Sequence, residues 1–306
     1  LQQAGLRDFY EGEIAAQIAA DAEAMGGVLS AADLAGCQAR FLPSIAVPWR
    51  GRELMLVNGL TAAPTLRRVL ERMADADWSG AEPSPAWYAA LGRAMQEAYA
   101  ERLAGRGDAE PQDTEPQGAD SCTTHLTVCD KDGLTIAMTT TLLSSMGSRV
   151  MLPGTGIMMN NGVMWFDPTP GTPNAIGPGK RPLNNMCPVI AASGGQPEIA
   201  VGASGGRRIM AAVFQLLAFV ADFGMDPEAA AHHPRIDVSG PEGISADRRL
   251  PEPVLAALRG AGPVELVEHG VMPINFACPN LIRRGPGEVV GISDAASPWS
   301  AAVAGG

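Results

Sequence analysis

Apolar residues fall at helical spacing over residues 6–27, at Phe9, Ile14, Ile18, Ala22 and Met25, and the run stops at Gly26–Gly27, which predicts an amphipathic helix. Ser30 before "AADL" reads as a helix N-cap, with Asp33 at the capping-box position. "FLPSIAVPWRG" and "RELMLVNG" predict a strand pair turning near Gly51, and residues 61–74 and 84–104 predict two amphipathic helices.

The pattern changes after a polar, Pro- and Gly-containing stretch at 106–121, the one low-complexity candidate. "HLTVCDKDG" alternates as a strand, Asp130–Gly133 reads as a turn, and "LTIAMTTTLLSS" reads as the returning strand. "GIMMNNGVMWFDP" and a long Gly/Pro-rich excursion follow, and then the strand "EIAVGASGG" leads straight into the helix "RRIMAAVFQLLAFVADFG". The tail repeats strand and helix through "EGISAD", "EPVLAALRGAG", "VELVEH" and "NLIRRGPGEVVGISDA". Strand pairs flanked by helices predict a layered α/β fold.

Composition narrows the function classes. With 306 residues, 46% hydrophobic and 18% charged, the chain has the balance of a soluble globular protein with a sizeable core. A net charge of −11 without clustered Lys or Arg argues against nucleic acid. The apolar runs are too short to span a bilayer, so no membrane partner is expected. Five scattered cysteines without CxxC predict free thiols in a reducing, cytoplasmic setting and no common zinc pattern. No signal peptide is visible; because the sequence opens on Leu1 within a helix-like stretch, an N-terminal part is expected to be absent and a signal peptide stays open.

The chemistry centres on "SCTTHLTVCDKDG" at 121–133. Either 106–121 is a surface loop before an ordinary hairpin, or it is there to be cut so that the strand carries a new N-terminus. A threonine hydroxyl needs a base within hydrogen-bond reach, and a free α-amine, with pKa of about 7.7–8.0, is neutral in part at working pH. Thr123 at a chain end would supply both groups. On residues alone, Thr123 and Thr124 read as two β-formers at a strand start.

Four stretches, "TTHLTVCDKDG" (123–133), "TTTLLSSMGSRVMLPGTGIMMNN" (139–161), "AIGPGKRPLNNMCP" (175–188) and "GASGGRRI" (202–209), resemble the γ-glutamyltranspeptidase family, including its cephalosporin-acylase-like branch. The resemblance implies an α/β (α+β), four-layer αββα sandwich of the N-terminal-nucleophile hydrolase type. It makes residues 1–122 the last part of a large-subunit region, ending in a cleavable loop at about 106–122, and residues 123–306 the small-subunit region. The two fragments form one globular domain, a heterodimer with room for higher homo-oligomers. It places self-cleavage between Cys122 and Thr123, and makes Thr123 the nucleophile, Thr141 its hydrogen-bond partner, and Gly205 and Gly206 the oxyanion-hole glycines. For Gly205–Gly206 the residue pattern also fits a plain strand-to-helix turn. It implies no metal or organic cofactor. His125 reads as a packed, hydrogen-bonded histidine, "HHPR" at 232–235 as a structural loop, and Gly154–Gly156 lacks the context of a nucleotide site.

Substrate positions depart from the family pattern. The resemblance implies an asparagine two residues after the second threonine, and a Gln and an Asp after the Asn160–Asn161 pair; these positions read Leu143, Gly162 and Trp165. A serine pair after "KRPL" has become Asn184 and Asn185, and the substrate-pairing arginine belongs to a region outside this chain. Leu143, Asn161, Trp165, Asn184 and Asn185 are therefore the candidate substrate contacts. Without a carboxylate to face an ammonium, the expectation is a self-processing amidohydrolase or acyltransferase acting on a small amide or another acyl substrate. The alternatives are an authentic transpeptidase of glutathione metabolism with a rearranged pocket, and an inactive homologue that serves as a binding protein.

Overall fold

The computed structural model describes residues 1–106, 121–240, 242–272 and 274–305, without the side chains of residues 105, 106, 121 and 122. Residues 107–120 of the predicted cleavable loop and the side chain of Cys122 lie outside the described residues, while residue 106 is helical and residues 121–122 are already strand. Two compact units emerge, one of residues 1–42 and 142–162 and one of 43–141 and 163–306.

The first unit holds α1 (Asp8–Glu11), α2 (Glu13–Ala24) and α3 (Ala31–Ala35). The run expected over 6–27 is thus two helices, broken at Gly12, whose extended φ/ψ of −107°/−150° interrupts the helical backbone. Ser30 and Asp33 form the expected capping box. Ala15, Ile18, Leu34 and Leu152 make this unit's small core.

The second unit contains β1 (Ile45–Trp49), β2 (Arg52–Leu56), α4 (Ala63–Met73), α5 (Pro85–Arg106) and β3 (Ser121–Cys129). Strand β4 (Thr135–Ser144) begins in it, and β5 (Val189–Ser193), β6 (Gln196–Ser204), α6 (Ile209–Ala221) and α7 (Pro227–His232) follow. Then come β7 (Ile236–Asp237), β8 (Ile244–Asp247), α8 (Glu252–Arg259), β9 (Val264–Val267), β10 (Cys278–Gly285) and β11 (Glu288–Ser293). Six strands join in the order β1-β2-β5-β6-β10-β11, all antiparallel; β3-β4 and β7-β8-β9 form smaller sheets. Among the described residues no helix is long and apolar enough to cross a membrane.

Alternation assigns the faces of the main sheet. Leu54, Leu56, Val189, Ala191, Ile199, Val201, Ala203 and Leu281 join Leu66, Val69, Trp87, Leu91 and nearly all of α6 in one core. A helix such as α6, apolar apart from the buried, hydrogen-bonded Gln215, must be covered on every side. The opposite face carries Gly202 and Asn280, which meet β3. The described residues therefore stack helices, the main sheet and the β3–β4 ribbon, in the α/β sandwich expected.

The ribbon reverses the usual alternation. Thr123, His125 and Thr127 of β3 and Thr135, Thr139 and Thr141 of β4 share one half-buried or buried side, while Val128, Leu134, Ile136 and Met138 are exposed on the other. The side that faces the main sheet is rich in hydroxyls, with Cys129 and Ala137 among them.

Candidate active site

The ribbon's register fixes the hydroxyl cluster. Asp130 N–H donates to Leu134 O at the turn, and counting back pairs 125 with 139 and 123 with 141. The side chains agree: Thr123 Oγ1 and Thr141 Oγ1 are 2.9 Å apart, and His125 Nδ1 lies 2.8 Å from Thr139 Oγ1. Thr127 Oγ1 donates to Asn280 Oδ1 at 2.9 Å, and Asn280 Nδ2 donates to His125 O at 2.7 Å, which fastens the ribbon to β10.

His125 is packed, as expected. Its ring lies against Gly202 so closely that a Cβ there would stand 2.2 Å from Cε1, so the approach of β3 to β6 requires glycine. Burial lowers its pKa from 6.5 to about 4, and its Nε2 has no hydrogen-bond partner among the described residues. The buried neutral ring costs the native state its proton, so stability falls as pH drops from 6.5 toward 4, by about 3 kcal/mol. Buried Asp237 acts oppositely: burial raises its pKa from 3.8 to about 6, so its contribution is complete below 3.8 and is lost as pH rises through 6. We expect His125→Gln to become more stable relative to the parent, and Asp237→Asn less stable, on going from pH 7 to pH 4. Urea unfolding at four pH values measures this; variants whose curves run parallel to the parent's would reject both assignments.

The ribbon's direction places Thr123. Thr127 touches Asn280, and Gly133 lies against the guanidinium of Arg284, so β3 runs with β10 and against β6. Stepping back from His125, over Gly202, to Thr123 moves toward Ser204, the end of β6. There Gly205 (φ 138°) and Gly206 (φ 62°) turn the chain into a 3-10 segment at Gly206–Arg208 that continues as α6. Among the described residues neither N–H is taken by a hydrogen-bond acceptor. Acyl transfer needs a hydroxyl that can act as nucleophile and dipoles that can meet a developing oxyanion, and a hydroxyl pair and two such N–H groups are of those types.

Asn184 and Asn185 lie in a loop pinned to Leu60–Ala62. Asn184 N–H donates to Leu60 O at 2.8 Å, and Ala62 N–H to Met186 O at 3.1 Å. Arg102 of α5, 2% exposed, donates from Nη2 to Asn184 O at 2.9 Å and Asn185 Oδ1 at 3.2 Å. Its Nη1 donates to Thr61 O and Thr65 Oγ1 at 3.1 and 3.3 Å. Arg102 was not singled out from sequence, although a signal exists. Trp87, Leu91, Met95 and Ala98 form the apolar stripe of α5, and the next step along it is an arginine.

The remaining candidates are placed differently. Trp165 is half-buried in a 3-10 turn (Gly162–Trp165), and its carbonyl accepts Asn174 Nδ2 at 2.6 Å. Leu143 and Asn161 belong to the first unit. Asn161 braces the end of β4 by accepting Ser144 N–H at 3.0 Å and donating to Ser144 Oγ at 2.8 Å. Leu143 has φ 78°, a left-handed backbone that a branched residue seldom adopts. "HHPR" ends in the buried Arg235, whose Nη2 is 2.7 Å from Asp294 Oδ2, so that loop anchors a structural ion pair.

The sequence model of the family described as gamma-glutamyltranspeptidase matches residues 1–116 and 108–304. The glutathione hydrolase proenzyme of Bacillus subtilis (strain 168) is 36% identical over 154 residues, covering 50% of this chain and 26% of that protein. The acylase ACY 1 proenzyme of Pseudomonas sp. (strain SE83) is 28% identical, over 83% of this chain and 51% of that protein. A cephalosporin acylase from Bacillus halodurans superimposes with a TM-score of 0.81 at 22% identity, over 95% of this chain and 58% of that one, a likeness of fold. The chain spans between about a quarter and three fifths of these proteins' lengths.

Proposed function

The chain belongs to the gamma-glutamyltranspeptidase family, and from that premise we propose that it is a self-processing amidohydrolase or acyltransferase with Thr123 as nucleophile. The observation that carries this is the 2.9 Å contact between Thr123 Oγ1 and Thr141 Oγ1 at the strand end beside the Gly205–Gly206 turn.

In the processing step, Thr123 Oγ attacks the carbonyl carbon of Cys122. The C–N bond breaks, the Thr123 nitrogen takes the proton, and an ester joins Cys122 to Thr123 Oγ. Water hydrolyses that ester, leaving a carboxylate on Cys122, a free hydroxyl and a free α-amine on Thr123. In turnover the amine accepts the hydroxyl proton as Oγ attacks the substrate carbonyl, Thr141 orients the hydroxyl, and Gly205 and Gly206 hold the oxyanion. The amine leaves with that proton, and water or a second amine takes the acyl group from Thr123. The two fragments stay together as a heterodimer.

The residue types at 143, 162 and 165 support an acyl group other than γ-glutamyl. An ammonium that loses its carboxylate partner in a desolvated site costs about 3–5 kcal/mol, and Leu, Gly and Trp supply none. The expected result is faster turnover of glutaryl- or adipyl-p-nitroanilide than of γ-glutamyl-p-nitroanilide, with two bands on denaturing electrophoresis. Efficient turnover of the γ-glutamyl compound alone would make the chain an authentic transpeptidase. A single uncut band without turnover would make it a binding homologue.

A further inference from the structure

Among the described residues, the long-range hydrogen bonds that hold residues 184–186 of this loop come from residues before position 123. Leu60 and Ala62 hold its backbone, and Arg102 holds both its backbone and the Asn185 side chain. The loop therefore lies in one predicted fragment while its supports lie in the other. Arg102 sits one turn before the end of α5, the last helix before the predicted cut in the sequence.

The geometry of this guanidinium suits a clamp. Its two terminal nitrogens reach two walls: Nη1 bonds Thr61 and Thr65, and Nη2 bonds Asn184 and Asn185. A planar fork fixes the angle between such walls, which a lysine ammonium cannot do. Because Asn185 Oδ1 accepts from Arg102, the amide is oriented with its oxygen toward α5 and its nitrogen turned away. Among the described residues the Nδ2 groups of both asparagines make no hydrogen bond, so they remain donors for an acceptor on a ligand.

We propose that Arg102 is the positioning residue of the substrate loop: it sets Asn185 with its N–H groups presented to a carboxylate or amide oxygen of the acyl group. This rests on the proposed role of Asn184 and Asn185 as substrate contacts. Arg102 touches neither the reacting carbonyl nor Thr123 in this scheme, so it governs affinity and not the chemical step.

The test compares Arg102→Met, Arg102→Lys, Asn185→Ala and Leu258→Ala, the last a core truncation on α8 away from the loop. For glutaryl-p-nitroanilide, Arg102→Met is expected to raise KM about tenfold and leave kcat within about threefold, the worth of hydrogen bonds to a charged group. Arg102→Lys should fall between it and the parent, and Asn185→Ala should raise KM likewise. Leu258→Ala should lower Tm with KM unchanged. Glutarate binding by calorimetry gives the same ranking without turnover, so it serves even where the chain is uncut.

If Asn185→Ala raises KM and the Kd for glutarate while the Arg102 variants do not, the clamp is refuted and the substrate loop stands. If Asn185→Ala changes neither, or the parent binds no glutarate, the loop is no substrate contact and both fall. A KM rise in Leu258→Ala that matches Arg102→Met would reduce Arg102 to general stability and also overturn the proposal.

Discussion

Thr123→Ala should leave the purified chain in one piece and reduce amide hydrolysis by at least about 10⁴-fold, the usual scale for removing a catalytic nucleophile. Both losses follow from one atom. The hydroxyl that would attack the Cys122 carbonyl is the hydroxyl that would later attack substrate, so no cut means no free α-amine and no base. Thr123→Ser keeps the hydroxyl and should still cleave itself. Thr141→Ala, which removes the 2.9 Å partner but no reacting atom, should cleave slowly and retain measurable turnover. Intact-mass measurement reads the cut and locates the new terminus at residue 123. A Thr123→Ala chain that is cut at the same bond, or that turns over substrate at the parent's rate, would remove the mechanism and leave the α/β sandwich standing.

Much of this was legible because period and turn chemistry agree along the chain. The β3–β4 hairpin was readable because "DKDG" interrupts two alternating runs, and β6 into α6 because "SGG" separates period two from period 3.6. Strand β5 was not singled out, for a physical reason. "VIAAS" is short and almost wholly buried, so it shows no alternation, and its pairing with β2 and β6 is a tertiary fact. The break of the first helix at Gly12 was hidden because the apolar spacing continues on both sides of it. In the site, the Thr123–Thr141 pair was within reach of sequence reading because a hairpin's register follows from its turn. Arg102 was not, since its partners lie 37 to 83 positions away, and only the folded chain brings them around one guanidinium. The inversion of the ribbon was also hidden: alternation shows that two faces differ, not which of them meets the sheet.

Gly205→Ala should be severely damaging, and Gly206→Ala should be mild. At φ 138° and ψ 28°, Gly205 occupies backbone space that L residues rarely enter, and an added Cβ would stand 2.7 Å from Cα and Cβ of the buried Ala277. Backbone strain of about 1–3 kcal/mol and overpacking of a similar size would add. The relief available is a shift of the turn, which moves the N–H proposed to meet the oxyanion; misplacing one such donor costs about 10²–10³ in kcat. Gly206 has φ 62°, inside the left-handed region, with open space where its Cβ would go, so alanine there costs about 1–2 kcal/mol and leaves the donor in place. Thermal unfolding and kcat on the same two proteins separate the effects. Gly205→Ala is expected to lose both stability and rate, and Gly206→Ala a little stability with kcat within about tenfold of the parent. Should Gly205→Ala unfold at the parent's temperature and turn over at its rate, the turn is only a connection between β6 and α6, and the oxyanion donors must be sought elsewhere.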